Sequence, residues 1–296
     1  MERRSCLAAL GAGGAALVAP APALALPSGV RAPVLRRTVV EVGPRPHERA
    51  VVLLPVSRDP APRSPLVVLL AGYKQSIDPG WAPEAWRRDY ALERTVARLR
   101  TARTAGDRRR YWLEDARVAE LDRALEVQPY RGAVFVCPVT PLPYFAKPGF
   151  VPAWVDWLAD VLLPAVRRVT PAARRPGGTG VGGVSMGGRL ALEALAARPD
   201  VFAAVGAAQA DLDAESAARL GARLASLGSG RSSLVLTAIG DRSRAESEAL
   251  AGVASRGGAR CELRTSAGPH TSRWVAELGG LELLFFLDRA LGLYDA

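Results

Sequence analysis

The chain has 296 residues, 49% of them hydrophobic and 23% charged, with a formal net charge of +10. That composition suits a globular protein with a sizeable core and excludes a chain too polar to bury one; the length fits one large domain as well as two small ones. Only two lysines occur, Lys74 and Lys147, so arginine carries the charge, and the arginines lie scattered among Asp and Glu rather than on one stripe. No nucleic-acid partner is expected from such a pattern.

The first 25 residues have the pattern of an export signal. Arg3-Arg4 precede an apolar stretch from Leu7 to Val18, and Ala23 and Ala25 fit an A-x-A cleavage site that would leave Leu26 as the new terminus. The paired arginines resemble a twin-arginine signal, so the protein is expected to be exported, to the periplasm or beyond the cell. The apolar stretch is too short to span a bilayer, and no integral membrane segment is expected later in the chain. Residues 26–296 then form one domain. Its two cysteines, Cys137 and Cys261, lack metal-site spacing and read as buried free thiols; no metal or other cofactor is expected.

Apolar runs of strand length recur along the chain. They are Thr38–Val42, Ala50–Val56, Leu66–Ala71, Ala133–Cys137, Gly180–Val184, Ala203–Ala207, Leu234–Ile239 and Arg260–Arg264. The turn-rich "GPRPHER" between the first two predicts an antiparallel pair. From Leu66 onward, strands alternate with helical periods at Pro83–Arg103, Ala116–Val127, Val155–Val169, Gly188–Ala197, Ala214–Leu227, Arg244–Ser255 and Arg273–Leu291. That alternation predicts an α/β protein, a mostly parallel eight-stranded sheet with helices on both faces. Residues 74–131 are a long insertion at the carboxyl end of a strand, read as a candidate helical cap or, alternatively, as a peripheral helical pair. Residues 138–155 read as a proline- and aromatic-rich loop whose Tyr144, Phe145, Phe150 and Trp154 are candidate substrate contacts or, equally, side chains that pack the loop onto the domain.

Ligands collect at the carboxyl ends of the strands of such a sheet. Ser185 lies there, in Gly183-Val184-Ser185-Met186-Gly187, between the strand "TGVGGV" and the helix "GGRLALEALAA". A sharp strand–turn–helix leaves no room for side chains at the flanking positions, which glycine satisfies, and it lifts the serine hydroxyl clear of the sheet beside a helix amino terminus. A serine hydroxyl needs a base. The chain has two histidines: His47 falls in the first turn, and His270 follows the last strand, at the carboxyl edge. An acid is needed to orient the imidazole. Asp241 follows the seventh strand, with Asp211, Asp213 and Glu246 as alternatives. The order Ser185, Asp241, His270 is that of the α/β-hydrolase fold. Backbone donors for an oxyanion are expected at Met186 and, in the loop after Leu66–Ala71, at Tyr73, with Lys74 as a fallback.

From Gly178 to Leu212 the sequence resembles the esterase D-like group of α/β-hydrolases: an S-M-G-G elbow, a helix, then Pro199-Asp200-Val201-Phe202 leading into the next strand. "LVLTAIGDRS" and "AGPHTSRWV" resemble that group's acid and histidine loops. The resemblance spans Leu66 to Leu291 apart from the insertion. It implies hydrolysis of a small or polymer-linked carboxylic ester through an acyl-enzyme, with Ser185, Asp241 and His270 as the triad and Tyr73 and Met186 as backbone donors. One departure stands out: the group has histidine or aspartate before the glycine of the oxyanion loop, where this chain has Ala71. Acyl transfer or peptide cleavage would use the same residues, and a non-catalytic binding module could keep the scaffold.

Overall fold

The computed structural model describes residues 35–56, 64–104, 112–143, 147, 149–174 and 177–292. The export signal expected over residues 1–25 lies outside them. Eight strands form one sheet: β1 (Leu35–Glu41), β2 (Arg49–Pro55), β3 (Leu66–Leu70), β4 (Val134–Pro138), β5 (Thr179–Val184), β6 (Ala204–Ala208), β7 (Ser232–Gly240) and β8 (Arg260–Pro269). Their spatial order is β1-β2-β4-β3-β5-β6-β7-β8. β1 and β2 pair antiparallel, as do β2 and β4, and every pair from β4 through β3 to β8 is parallel.

Strand periodicity divides the core in two. Val51, Leu53, Val67, Leu69 and Phe135 face one side, and Val52, Leu54, Leu66, Val68, Val134 and Val136 face the other, all buried. Helices α5 (Phe150–Trp157), α6 (Leu163–Val169), α7 (Met186–Ala197), α8 (Ala214–Ser226) and α9 (Arg244–Arg256) cover the second face. The first is covered by α2 (Ala85–Arg88), α3 (Leu92–Arg100), α4 (Asp115–Val127) and α11 (Gly280–Gly292). α11 can approach β5 closely because that strand shows it glycine: a Cβ on Gly182 would lie 2.8 Å from Leu283 Cδ2.

The expected cap is therefore corrected in its described part. The helices of residues 74–131 bury Trp86, Tyr90, Leu92, Val96, Leu99, Leu121 and Leu125 against the sheet and α11, and so form a layer of the domain. The physical reason is area: such a run of apolar side chains gains more from covering a bare sheet face than from arching over solvent. The helix expected over Pro83–Arg103 is broken at Ala91, which takes φ 51°, and the break turns Tyr90 inward. The loop expected over 138–155 gives way to helix at Phe150, after Gly149 at φ 83°; Pro152 is tolerated in the first turn, where its missing N–H costs nothing.

Cys137 in β4 is buried and Cys261 in β8 half-buried, both free, on strands that are not neighbours. Burial pushes both thiols up, that of Cys261 to about 11.

Candidate active site

Four consecutive strands end side by side and deliver one polar residue each: Ser185 after β5, Gln209 after β6, Asp241 after β7 and His270 after β8. Neighbouring strands are about 4.8 Å apart, so the loops must draw these groups together across the sheet.

The turn at Ser185 is strained. The residue takes φ 56° and ψ −123°, which a side chain rarely adopts, and the backbone around it is tied down on both sides. Ser185 N donates to Ala208 O at 2.9 Å, while Ser185 O accepts from Arg189 N and from Asp211 N, each at 3.1 Å. The flanking glycines are steric necessities. A Cβ on Gly183 would lie 2.1 Å from Gly187 O, and one on Gly187 would lie 2.5 Å from Ala71 O and 2.6 Å from Leu70 O. The second contact also shows that the elbow is packed on the end of β3. Met186 opens α7, where helix geometry leaves the N–H outside the intrahelical ladder. Tyr73 opens a short helix, α1 (Tyr73–Ser76), directly after β3.

The acid and the base meet. His270 Nδ1 lies 3.1 Å from Asp241 Oδ1. The same carboxylate accepts from Thr237 Oγ1 at 3.0 Å and from Ser243 N at 3.3 Å, so a buried charge has its lone pairs satisfied. Sheet register makes the meeting: pairing of β7 with β8 shifts between Ala238 and Gly240, setting Gly240 opposite Pro269 and so Asp241 beside His270. Gln209 Nε2 donates to Pro269 O at 3.1 Å and steadies the residue before the histidine. Gln209 is itself buried and strained, with φ 45°. The imidazole is 31% exposed. Among the described residues His270 has its side-chain hydrogen bond with Asp241, and none joins the imidazole to Ser185. Such bonds often tighten only when substrate binds.

The alternative acids have other work. Asp213 caps α8, accepting from Ser216 N at 2.7 Å, and Asp211 pairs with Arg242. Glu246 is in the first turn of α9. His47 is exposed in the β1–β2 turn. Of the aromatic candidates, Tyr144 and Phe145 lie outside the described residues. Trp154 is corrected: it is buried in the core with Val155 and Leu158, because helix α5 turns that face onto the sheet. Sequence reasoning did not find Gln209, Thr140, Tyr90 or Gln75, whose partners are 15 to 197 residues away. Among the described residues no three His, Cys, Asp or Glu side chains group as a metal would need, and no helix is long and apolar enough to cross a membrane.

The sheet order, with an elbow serine at the carboxyl edge, is that of the α/β-hydrolase fold. Residues 143–275, which carry Ser185, Asp241 and His270, match the family model described as "Putative esterase", and that match supports ester hydrolase activity. Solved structures agree on the architecture. A ferulic acid esterase is similar with a TM-score of 0.63 at 15% identity, over 86% of this chain and 99% of its own. The S-formylglutathione hydrolase FrmB from Staphylococcus aureus gives 0.61 at 11% identity, over 86% and 99%. The ferric enterobactin esterase from Salmonella typhimurium gives 0.60 at 18% identity, over 90% of this chain and 61% of its own. At such identities the likeness speaks for the fold. No curated protein matches the chain.

Proposed function

We propose that the protein is a serine esterase that cleaves a carboxylic ester through an acyl-enzyme. The observation that carries this reading is the hydrogen bond of 3.1 Å between Asp241 and the only histidine at the carboxyl edge, in the sheet whose elbow presents Ser185. Ser185 Oγ attacks the ester carbonyl as His270 Nε2 takes its proton. Asp241 holds the imidazole through Nδ1 and stabilises the cation that forms. The tetrahedral oxyanion sits between the N–H groups of Met186 and Tyr73, where the closeness of Gly187 to Leu70 and Ala71 supports a shared pocket. Collapse of the intermediate expels the alcohol with the proton from His270. Water, activated by the same imidazole, then releases the acid and restores Ser185.

The likeness to esterases of ferulic acid, S-formylglutathione and enterobactin supports an ester substrate without choosing its acyl group. An ester reached outside the cytoplasm fits the amino-terminal signal pattern, and secreted material should begin near Leu26. Hydrolysis of p-nitrophenyl acetate tests the catalytic claim. Ser185→Ala is expected to lose turnover on the order of a millionfold if the three groups act as a unit. Retained turnover in that variant would reject the proposal.

A further inference from the structure

The loop leaving β3 carries the proposed donor Tyr73, and side chains from distant segments hold it. Ala71 N donates to Thr140 Oγ1 at 2.9 Å, and Gly72 N donates to Tyr90 Oη at 3.2 Å. The phenol passes the bond on. Its hydroxyl donates to Gln75 Oε1 at 2.9 Å, and Gln75 Nε2 donates to Ser272 Oγ at 3.2 Å. Ser272 stands two residues past His270. The chain of bonds thus runs from the loop beside the elbow, through the segment inserted after β3, to the loop of the base.

Tyr90 is 2% exposed and packs edge-on against Trp86, ring centroids 5.1 Å apart. A phenylalanine would fill that space equally well, so packing does not account for the hydroxyl; its partners are both in the oxyanion segment. Burial raises the phenol well above its ordinary value, against a smaller opposite pull from the Gly72 amide. The hydroxyl therefore keeps its proton and remains a donor to Gln75. A Cβ placed on Gly72 would lie 3.2 Å from Tyr90 Oη and 3.5 Å from Val184 O, so the loop at Gly72 runs close to both the hydroxyl and the elbow strand. Ala71 has no polar side chain with which the loop could brace itself.

We infer that Tyr90 and Gln75 are positioning residues, which hold the oxyanion loop in register with the histidine loop. This rests on the serine-esterase reading. The prediction concerns the transition state, because a misplaced loop donor weakens a tetrahedral oxyanion more than a bound ester.

The test uses the full chain with p-nitrophenyl acetate as substrate and phenylboronic acid, which forms a tetrahedral adduct on an active serine, as probe. Tyr90→Phe should lower kcat roughly 10- to 100-fold, somewhat less than outright loss of an oxyanion donor. KM should stay within about twofold, and phenylboronic acid should bind more weakly by a factor similar to the fall in kcat. Gln75→Met should follow with a smaller loss, and the double variant should be no worse than Tyr90→Phe, as for members of one network. Wild-type kcat and boronate affinity in Tyr90→Phe, with Ser185→Ala inactive, would overturn this inference and leave the esterase reading standing. Turnover retained in Ser185→Ala would instead remove the reading itself. Should Tyr90→Phe not fold, the half-buried Gln75→Met decides alone: kcat and boronate affinity falling together at constant KM support the inference, and wild-type values overturn it.

Discussion

The two sides of the candidate site are built in different ways. On the side of β5, five consecutive residues from Gly183 to Gly187 make the elbow: the backbone of Gly187 leaves no room for a side chain at Gly183, and the end of β3 leaves none at Gly187. On the side of β3, the loop from Ala71 to Ser76 is closed locally by Ser76, whose N–H and hydroxyl both donate to Gly72 O, but it is tied in place by Thr140, Tyr90 and Ser272, drawn from three other parts of the chain. A local constraint leaves a motif in the sequence, whereas a constraint made of long-range hydrogen bonds leaves single polar residues with nothing to mark them.

That contrast predicts an order of sensitivity. The largest expected effect after loss of Ser185 is at Asp241→Asn, whose altered hydrogen bonding would favour the wrong imidazole tautomer; kcat should drop about 10⁴-fold with the protein still folded, read by steady-state kinetics and thermal melting. Gly187→Ala should damage both sides at once. Its Cβ would stand 2.5 Å from Ala71 O, so the elbow and the oxyanion loop must move apart, with destabilisation of about 3 kcal/mol, at the upper end for overpacking. Soluble, fully active Gly187→Ala would break the account of the elbow.

The smallest effect is expected at Asp213, the rejected acid. Asp213→Ala should cost about 1 kcal/mol of stability as a lost helix cap, with turnover unchanged. The Ser216 amide, with the Ser216 hydroxyl, holds the Asp213 carboxyl below its ordinary value. A depressed acid stabilises the fold above the ordinary carboxylate range and loses that contribution as pH falls through its folded value. The gap in melting temperature between wild type and Asp213→Ala should therefore close towards acid pH.

Much of the sheet was legible because the strands between its two edges are apolar on both faces. All eight were expected, and the antiparallel start and parallel remainder follow from the connecting segments. β8 was read short, as Arg260–Arg264, because an edge strand of alternating exposed residues offers no apolar run to mark its far half. Yet that half is what carries the chain to His270. Asp241 could not be separated from Asp211 and Asp213 by spacing, since a register shift between Ala238 and Gly240 makes the choice. The inserted segment was misread as a cap because helical periodicity reveals a buried stripe but not which surface buries it. Its true place against the sheet is also what brings Tyr90 to Gly72.

The most direct measurement is the site of covalent capture by a fluorophosphonate. Intact-mass analysis should give a single adduct per chain, and peptide mapping should put it on Ser185, with Ser185→Ala unmodified. An adduct that persists in Ser185→Ala, or an intact chain that takes up no probe at all, would contradict the view that this elbow holds an activated nucleophile.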